Sequence, residues 1–540
     1  MSLWSRLLKK LEVPHEGGTI PDPWINNDIK PVETARRKWG FWTFNNYWVL
    51  INCNISTYMT GSSLIPLGLS WWQAIIAIVV GNILASVFIV LNSLPGAFYH
   101  LGFPVANRYV WGMWGSQWVV WNRIFLSINA FQAWIGGECV YVCLQAIWPS
   151  LEDRIPNHMP ASTGMTTAGF VAYIVFMVIS LPFVYVRPQN LQLLFYSSAA
   201  IVLVFEVVIL IWSLATMGSS GFGGTMSSAT TSSGWMIAYG IISTIGSIAA
   251  GILNQTDYAR FARRPRDAIY GQIISAALCA IASSVIGILV TAATQNRYGE
   301  ALWNLPNLLS AVIETGGSRS RAAAFFGGVA LVVSQIGVNV PGNALSGGFD
   351  FAATWPKYIN IRRGAYLTVL ISIAANPWKL VNTATTFITV LSSYSVFVGP
   401  MVGLMISSYL IVNQSKIKVP DLFVGNKNSI YWYTYGINWR AVVAWISGVV
   451  PSLPGFAAYV NPNVSVPIGL THLYYICFLT GMSISAAVYI ALHYAVPDKR
   501  LQAFVNSAPP ARQLMAEYRE LYDNPDEVSY VDVAQGKIDA

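Results

Sequence analysis

Long apolar stretches alternate with short polar connections over most of this chain. They lie near residues 43–69, 71–94, 116–148, 168–186, 191–215, 235–256, 268–293, 322–353, 364–378, 381–412, 440–458 and 471–495. Nearly all have the length, about 20 residues, that an α-helix needs to cross roughly 30 Å of hydrocarbon. The pattern predicts an all-α polytopic membrane protein with about 12 transmembrane helices. It divides the chain into a tail over 1–42, a transmembrane domain over 43–495 and a second tail over 496–540.

Polar residues interrupt this pattern in four places. In the eighth stretch, SQIGVNVPGN (334–343) stands inside an otherwise apolar run from Ala322 to Ala353. Gln335, Asn339 and Asn343 follow one another at intervals of four, so at helical periodicity their amides project along one slowly turning stripe. Pro341 and Gly342 weaken or bend the helix there. Asn52, Asn54, Ser56, Thr57, Thr60 and Gly61 interrupt the first stretch. Asn129, Gln132, Trp134 and Glu138 stand beside Gly136 and Gly137 in the third, and Gly246, Ser247 and Gly251 soften the sixth before Asn254 and Gln255. At membrane depth such groups cost free energy unless they meet a partner, a cavity or a ligand. Close helix packing with amide bonds between helices accounts for any one of these sites. Together they put the breakable helices first and sixth, as in proteins built from two inverted five-helix repeats around a midplane site. The expected fold is LeuT-like, with broken helices 1 and 6 and two further helices at the C-terminus.

Charge fixes the expected orientation. Charged residues make up 10% of the chain, against roughly 25% in a soluble domain. With an even number of spans, the side that holds both tails collects 25 of the 31 Lys and Arg residues. Arg154, Arg297, Arg319, Arg321 and Lys379 fall on the other side, and Arg123 falls inside a span. Both tails are therefore predicted to be cytoplasmic, and the basic balance reflects this asymmetry, not nucleic-acid binding. No cleavable signal peptide is evident in the first forty residues, so the first span is expected to serve as its own targeting signal. The tails read as partly disordered, with an acidic end from Glu517 to Asp539.

Candidate chemistry is sparse. Cys53, Cys139, Cys143, Cys279 and Cys477 all lie in apolar stretches, which fits small buried hydrophobes better than disulfides or a soft-metal pair at Cys139 and Cys143. His472 and His493 fall at opposite ends of the last span, and no metal-ligand, nucleophile or phosphate-loop pattern appears. An enzyme, a metal and a cofactor are all disfavoured. Asp257 with Arg260 follows the sixth span and suits a gate or a loop salt bridge. Glu206 is alone in the fifth span, with no partner in view.

Several segments resemble the nucleobase:cation symporter-1 family, in particular its fungal uracil, allantoin and uridine permease branch. They are KPVETARRKWGFWTFNNYW (30–48), NSLPGAFYHLGFPVANRYVWGMWGS (92–116), QAWIGG (132–137), NQTDYARFARRP (254–265), PKYINIRRGAY (356–366) and YGINWRAVVAW (435–445). The resemblance implies a plasma-membrane permease that imports a small neutral nitrogen heterocycle with a coupling cation. In this family the ring lies between the first, third, sixth and eighth spans. A glutamine of the third span maps to Gln132 and an asparagine of the eighth to Asn343. Carboxamides present a donor and an acceptor side by side, which suits the edge of such a ring.

Asn339, Asn54 and Ser56 are further substrate candidates at the stripe and the first break, where Asn54 and Asn254 also suit capping of broken backbone. Two departures stand out. The position of the family's stacking tryptophan, four residues before Gln132, is Ile128, which leaves room for something bulkier than uracil unless another span supplies the aromatic. The hydroxyl residues that ligate sodium in the bacterial hydantoin relative, five and six positions before the substrate asparagine, are here Val338 and Gly337, with only Ser334 nearby. Proton symport is the expectation, with Glu138 as a carrier or, alternatively, a hydrogen-bonded structural carboxyl. A thiamine-type or nicotinamide riboside permease and a non-transporting nutrient receptor remain as alternatives.

Overall fold

The computed structural model describes residues 12, 24, 29–128, 131–186, 192–223, 233–355, 357–375, 377–461 and 463–523. Among them every regular element is a helix, and β pairing is confined to isolated bridges between Trp39 and Ala262 and between Thr434 and Ile437. The first span is two half-helices, Phe41–Asn52 and Ile55–Ser62; the second is Trp71–Tyr99. Gly115–Ile128 and Phe131–Ile147 make the third, Thr167–Tyr185 the fourth and Gln192–Thr216 the fifth. The sixth is divided into Ser233–Ser247, Ala249–Leu253 and Thr256–Ala259, and the seventh is the unbroken Pro265–Tyr298. Ser318–Asn339 leads through a π-helical turn, Val340–Leu345, into Ser346–Thr354 as the eighth. Ile361–Ala374, Ala384–Ser407, Trp439–Val449 with Leu453–Val460, and Ile468–Tyr475 with Cys477–Ala495 complete the set.

Solvent preference is inverted relative to a soluble bundle. Val204, Val208 and Ile211 of the fifth span are 64%, 57% and 62% exposed, while Glu206 and Ser213 on the same helix are buried. An apolar outer face over polar interior groups is stable only in hydrocarbon. The second span packs along the seventh, the third along the eighth and the tenth along the twelfth.

Each break has a local cause. At Cys53 the backbone leaves the helix, and Asn54 closes both ends: its Oδ1 accepts from the Thr57 amide at 3.1 Å and its Nδ2 donates to the Ile51 carbonyl. In the sixth span Ile248 interrupts the helix, with Ser247 Oγ donating to the Thr244 carbonyl at 2.7 Å. The eighth span absorbs Pro341 by widening one turn, because proline supplies no amide to the regular ladder.

Among the described residues, five short α-helices lie outside the apolar pattern, the smallest being Leu151–Arg154. Phe103–Trp111 is buried along its whole length between the second and third spans, and Leu305–Thr315 caps the opposite face. The C-terminal tail departs from the disorder expected of it as far as residue 523. Lys499–Ser507 is held by Lys416 Nζ, which donates to the carbonyls of Val505 (2.7 Å) and Ala508 (3.0 Å), and Ala511–Asp523 buries Leu514. The acidic end beyond it, 524–540, lies outside the described residues.

Backbones of the first and seventh spans meet where two glycines face each other across the contact. A methyl group added at Gly287 would lie 2.3 Å from the Tyr58 carbonyl oxygen, and one at Gly61 2.3 Å from that of Ser284. Gly287→Leu is therefore expected to destabilise the folded protein by about 1–3 kcal/mol through overpacking. Gly469→Ala, where an added methyl meets nothing within 4 Å, leaves stability unchanged. Thermal unfolding in detergent compares the two.

Candidate functional site

Where the first and sixth spans break, the bundle encloses a cavity of about 190 Å³. Polar side chains reach it from several directions: Asn54 and Ser56 from the first span, Gln132 from the third, Asn254 from the sixth, and Asn343 and Ser346 from the eighth. Thus five of the residues singled out in the sequence converge on one space, although they are up to 289 positions apart between Asn54 and Asn343. Two of their polar atoms, Gln132 Oε1 and Ser56 Oγ, are buried without a hydrogen-bond partner among the described residues. Buried polar atoms are normally satisfied, so unpaired ones at a cavity wall are groups free for a ligand.

The eighth-span stripe is divided by depth. Asn343 lines the cavity, and its Nδ2 donates to Asn339 Oδ1 at 2.9 Å, so Asn339 stands behind it as a support. Gln335 and Ser334 are fully buried away from the cavity lining. The π turn begins at Val340, one residue after Asn339, and turns Asn343 relative to the helix before it. Ile128 ends a helix, and its side chain lies outside those described. Aromatic surface comes instead from Tyr47 and Trp48 of the first span, Tyr258 of the sixth and Tyr394 of the tenth.

Glu138 does not line the cavity. Its oxygens accept from Trp134 Nε1 and from Asn304 Nδ2, each at 3.1 Å, which ties the third span to the loop before Leu305–Thr315. A methyl added to Gly337 would lie 2.3 Å from Ser198 Oγ. The fifth span thus occupies the space that a side chain at 337 would need.

Asp257 requires a correction. Its carboxylate does not pair with Arg260, whose Nε donates to the Asp257 backbone carbonyl at 3.2 Å. The carboxylate pairs instead with Arg123 Nη1 at 2.6 Å and accepts from the Phe103 amide at 2.8 Å. Arg123 also makes a two-point contact with Asp350, through Nε at 2.5 Å and through Nη2, while its guanidinium lies 4.4 Å from the Phe103 ring centre. All three charged side chains are at most 5% exposed. With its side-chain amide turned to satisfy both ends, Asn254 donates to the carbonyls of Ala250 and Gly251 and accepts from Arg123 Nη1 at 3.2 Å. The sequence signal was present, since Arg123 and Asp350 are charges at spanning depth that demand partners. Arg123 borders the cavity on the side that carries the tails, where Tyr47 and Tyr258 also meet at 4.7 Å.

Comparison with known proteins gives a consistent result. The family described as permease for cytosine/purines, uracil, thiamine, allantoin matches residues 31–481. The transporter aclS of Aspergillus oryzae is 34% identical over 90% of this chain and 88% of its own. The allantoin permease of Saccharomyces cerevisiae is 35% identical over 87% of this chain and 76% of its own. In structure, the nucleobase-cation-symport-1 transporter Mhp1, closed with bromovinylhydantoin bound, superposes with a TM-score of 0.68 at 18% identity, covering 92% of this chain and 100% of that one.

The triad makes a sharp prediction. Arg123→Gln leaves two buried carboxylates without a cation, a loss of about 3–5 kcal/mol, seen as a large fall in Tm. Adding Asp257→Asn and Asp350→Asn removes the stranded charges and restores part of that loss.

Proposed function

The chain belongs to the family of permeases for cytosine and purines, uracil, thiamine and allantoin, and from that premise we propose that it imports a small neutral nitrogen heterocycle by proton symport with alternating access. It is a multi-pass membrane transporter of this family, not an enzyme. The proposed setting is the plasma membrane, with both tails cytoplasmic, because Lys and Arg concentrate on the side that holds them.

One observation carries this reading: a cavity at two helix breaks whose walls offer neutral amides and hydroxyls, some with unpaired polar atoms. A neutral ring with alternating N–H and C=O groups fits such walls, whereas a charged ligand would need a counter-charge at the site. In this reading Gln132 and Asn343 hold the ring edge, Asn339 orients Asn343, and Ser56 supplies a further hydroxyl. Asn54 and Asn254 keep the broken backbone satisfied while bordering the same space. Rings from the first, sixth and tenth spans supply the stacking surface for a ring such as that of a nucleobase, a nucleoside or allantoin. The Arg123 cluster then acts as the inner gate below the substrate.

Two measurements test the proposal. Radiolabelled uracil, uridine and allantoin, with the cation thiamine as the contrasting case, are offered to host cells lacking their own permeases. At least one of the three neutral compounds accumulates, and Gln132→Ala or Asn343→Ala weakens its binding by about 5- to 100-fold, the effect of a buried polar group left unpaired; accumulation of thiamine alone overturns the neutral-ring reading. Uptake persists without sodium, rises with external acidity and collapses with a protonophore. Strict dependence on sodium at constant pH overturns the proton reading.

A further inference from the structure

Behind the cavity wall lies a carboxyl group that the substrate site does not use. Glu206 stands near the middle of the fifth span and is fully buried, although the neighbouring Val204, Val207 and Val208 turn outward. Ser283 of the seventh span donates to its Oε1 at 2.6 Å, and its Oε2 has no hydrogen-bond partner among the described residues. Nor does any ion pair reach it among those residues.

The groups around Glu206 are weakly polar. Ser283 comes from the seventh span, and Cys53 and Tyr58 of the first span lie within its electrostatic reach, with Cys279 of the seventh span beside Cys53. The eighth span, which also packs on the fifth, carries no titratable side chain between Arg321 and Asp350. At the ends of the seventh, Arg266, Asp267 and Tyr270 lie at one side of the membrane and Arg297 at the other, where it stacks on Trp212 at 5.5 Å. Among the described residues nothing nearby carries a positive charge to compensate a negative one, and an uncompensated charge at this depth is costly.

The position is also mechanically placed. Cys53 is the residue at which the first span breaks, between the cavity residues Asn52 and Asn54. Ser284, next to Ser283, lines the cavity and donates to the Thr57 carbonyl of the second half-helix at 2.9 Å. Gain or loss of a proton on Glu206 thus acts on the seam along which the fifth, seventh and first spans meet, one residue from the substrate wall.

We propose that Glu206 takes up and releases the coupling proton, its neutral form allowing the fifth span to close on the seventh and its ionised form requiring water at that seam. This rests on the proton-symport reading given above. The test uses the full chain in proteoliposomes with radiolabelled uracil, uridine and allantoin. With the membrane potential clamped at zero, wild-type protein accumulates substrate by about tenfold for each pH unit of an inwardly directed proton gradient, the limit for one proton per substrate. Glu206→Gln is expected to exchange internal for external substrate yet to lose that gradient-driven accumulation. Should Glu206→Gln fail to fold, Ser283→Ala decides, because it keeps the carboxyl but removes the donor to its ionised form and so moves the pH profile of uptake toward higher pH. An unmoved profile overturns the proposal. So does gradient-driven accumulation by Glu206→Gln, or its loss in Glu138→Gln alone. Wild-type accumulation that ignores the pH gradient instead removes the proton-symport reading itself.

Discussion

Within hydrocarbon, every backbone amide and carbonyl freed by a helix break must find a partner inside the protein. That constraint organises the centre of this molecule. Breaking the first span frees groups around residues 51–57, and breaking the sixth frees those around 248–254. The partners are exchanged between the two halves: Ser284 of the seventh span serves the Thr57 carbonyl, while Asn92 of the second span donates to the carbonyls of Ile252 (2.7 Å) and Leu253 (2.8 Å). Asn52 in turn donates to the Ala276 carbonyl of the seventh span at 2.8 Å. Each half of the fold therefore adds polar groups to the break in the other, beside the local caps that Asn54 and Asn254 provide. The cavity is a consequence, because it opens where the helices are interrupted and where unsatisfied groups are tolerated only beside a ligand or water.

Charge is handled by the same rule at greater cost. Arg123 is shared by two carboxylates, and the cluster joins the third span to segments that end the sixth and the eighth. Three buried charges with mutually satisfied geometry are specific in placement, since removing any one strands the others. At the tail-bearing end of the cavity the cluster ties these three spans together. The cavity wall above it is lined mainly by amides, hydroxyls and rings. Under the proposed function, recognition would fall to the amides and closure to the ions, two chemically different sets of groups.

How far the sequence disclosed this differs from residue to residue. All twelve spans were legible because hydrophobic length is a property of local sequence, independent of the partner that a helix meets. The breaks were legible too, since clustered Asn, Ser and Gly weaken an apolar helix at the point where they gather. Gln132 and Asn343 were assigned to one site through the family resemblance, and their convergence on one cavity is a tertiary fact. Asp257 was misread, because the nearest cation in sequence, Arg260, differs from its ionic partner in space, Arg123. Glu206 looked isolated for the same reason: Ser283, 77 positions away, meets it only when the seventh span packs against the fifth.

By itself, then, the sequence determined the solvent, the approximate number of crossings and the positions at which helices cannot continue. These follow from the length of apolar runs and from backbone chemistry, both of which act within a few residues. The tertiary structure alone decided which polar groups are satisfied and which are left for a ligand. Asn339 became a support and Asn343 a wall of the cavity because a π turn at Pro341 rotates one relative to the other. Glu138 was fixed to Asn304 and Glu206 left with a free oxygen because pairing depends on which helices pack together, a choice made by side-chain fit between distant segments.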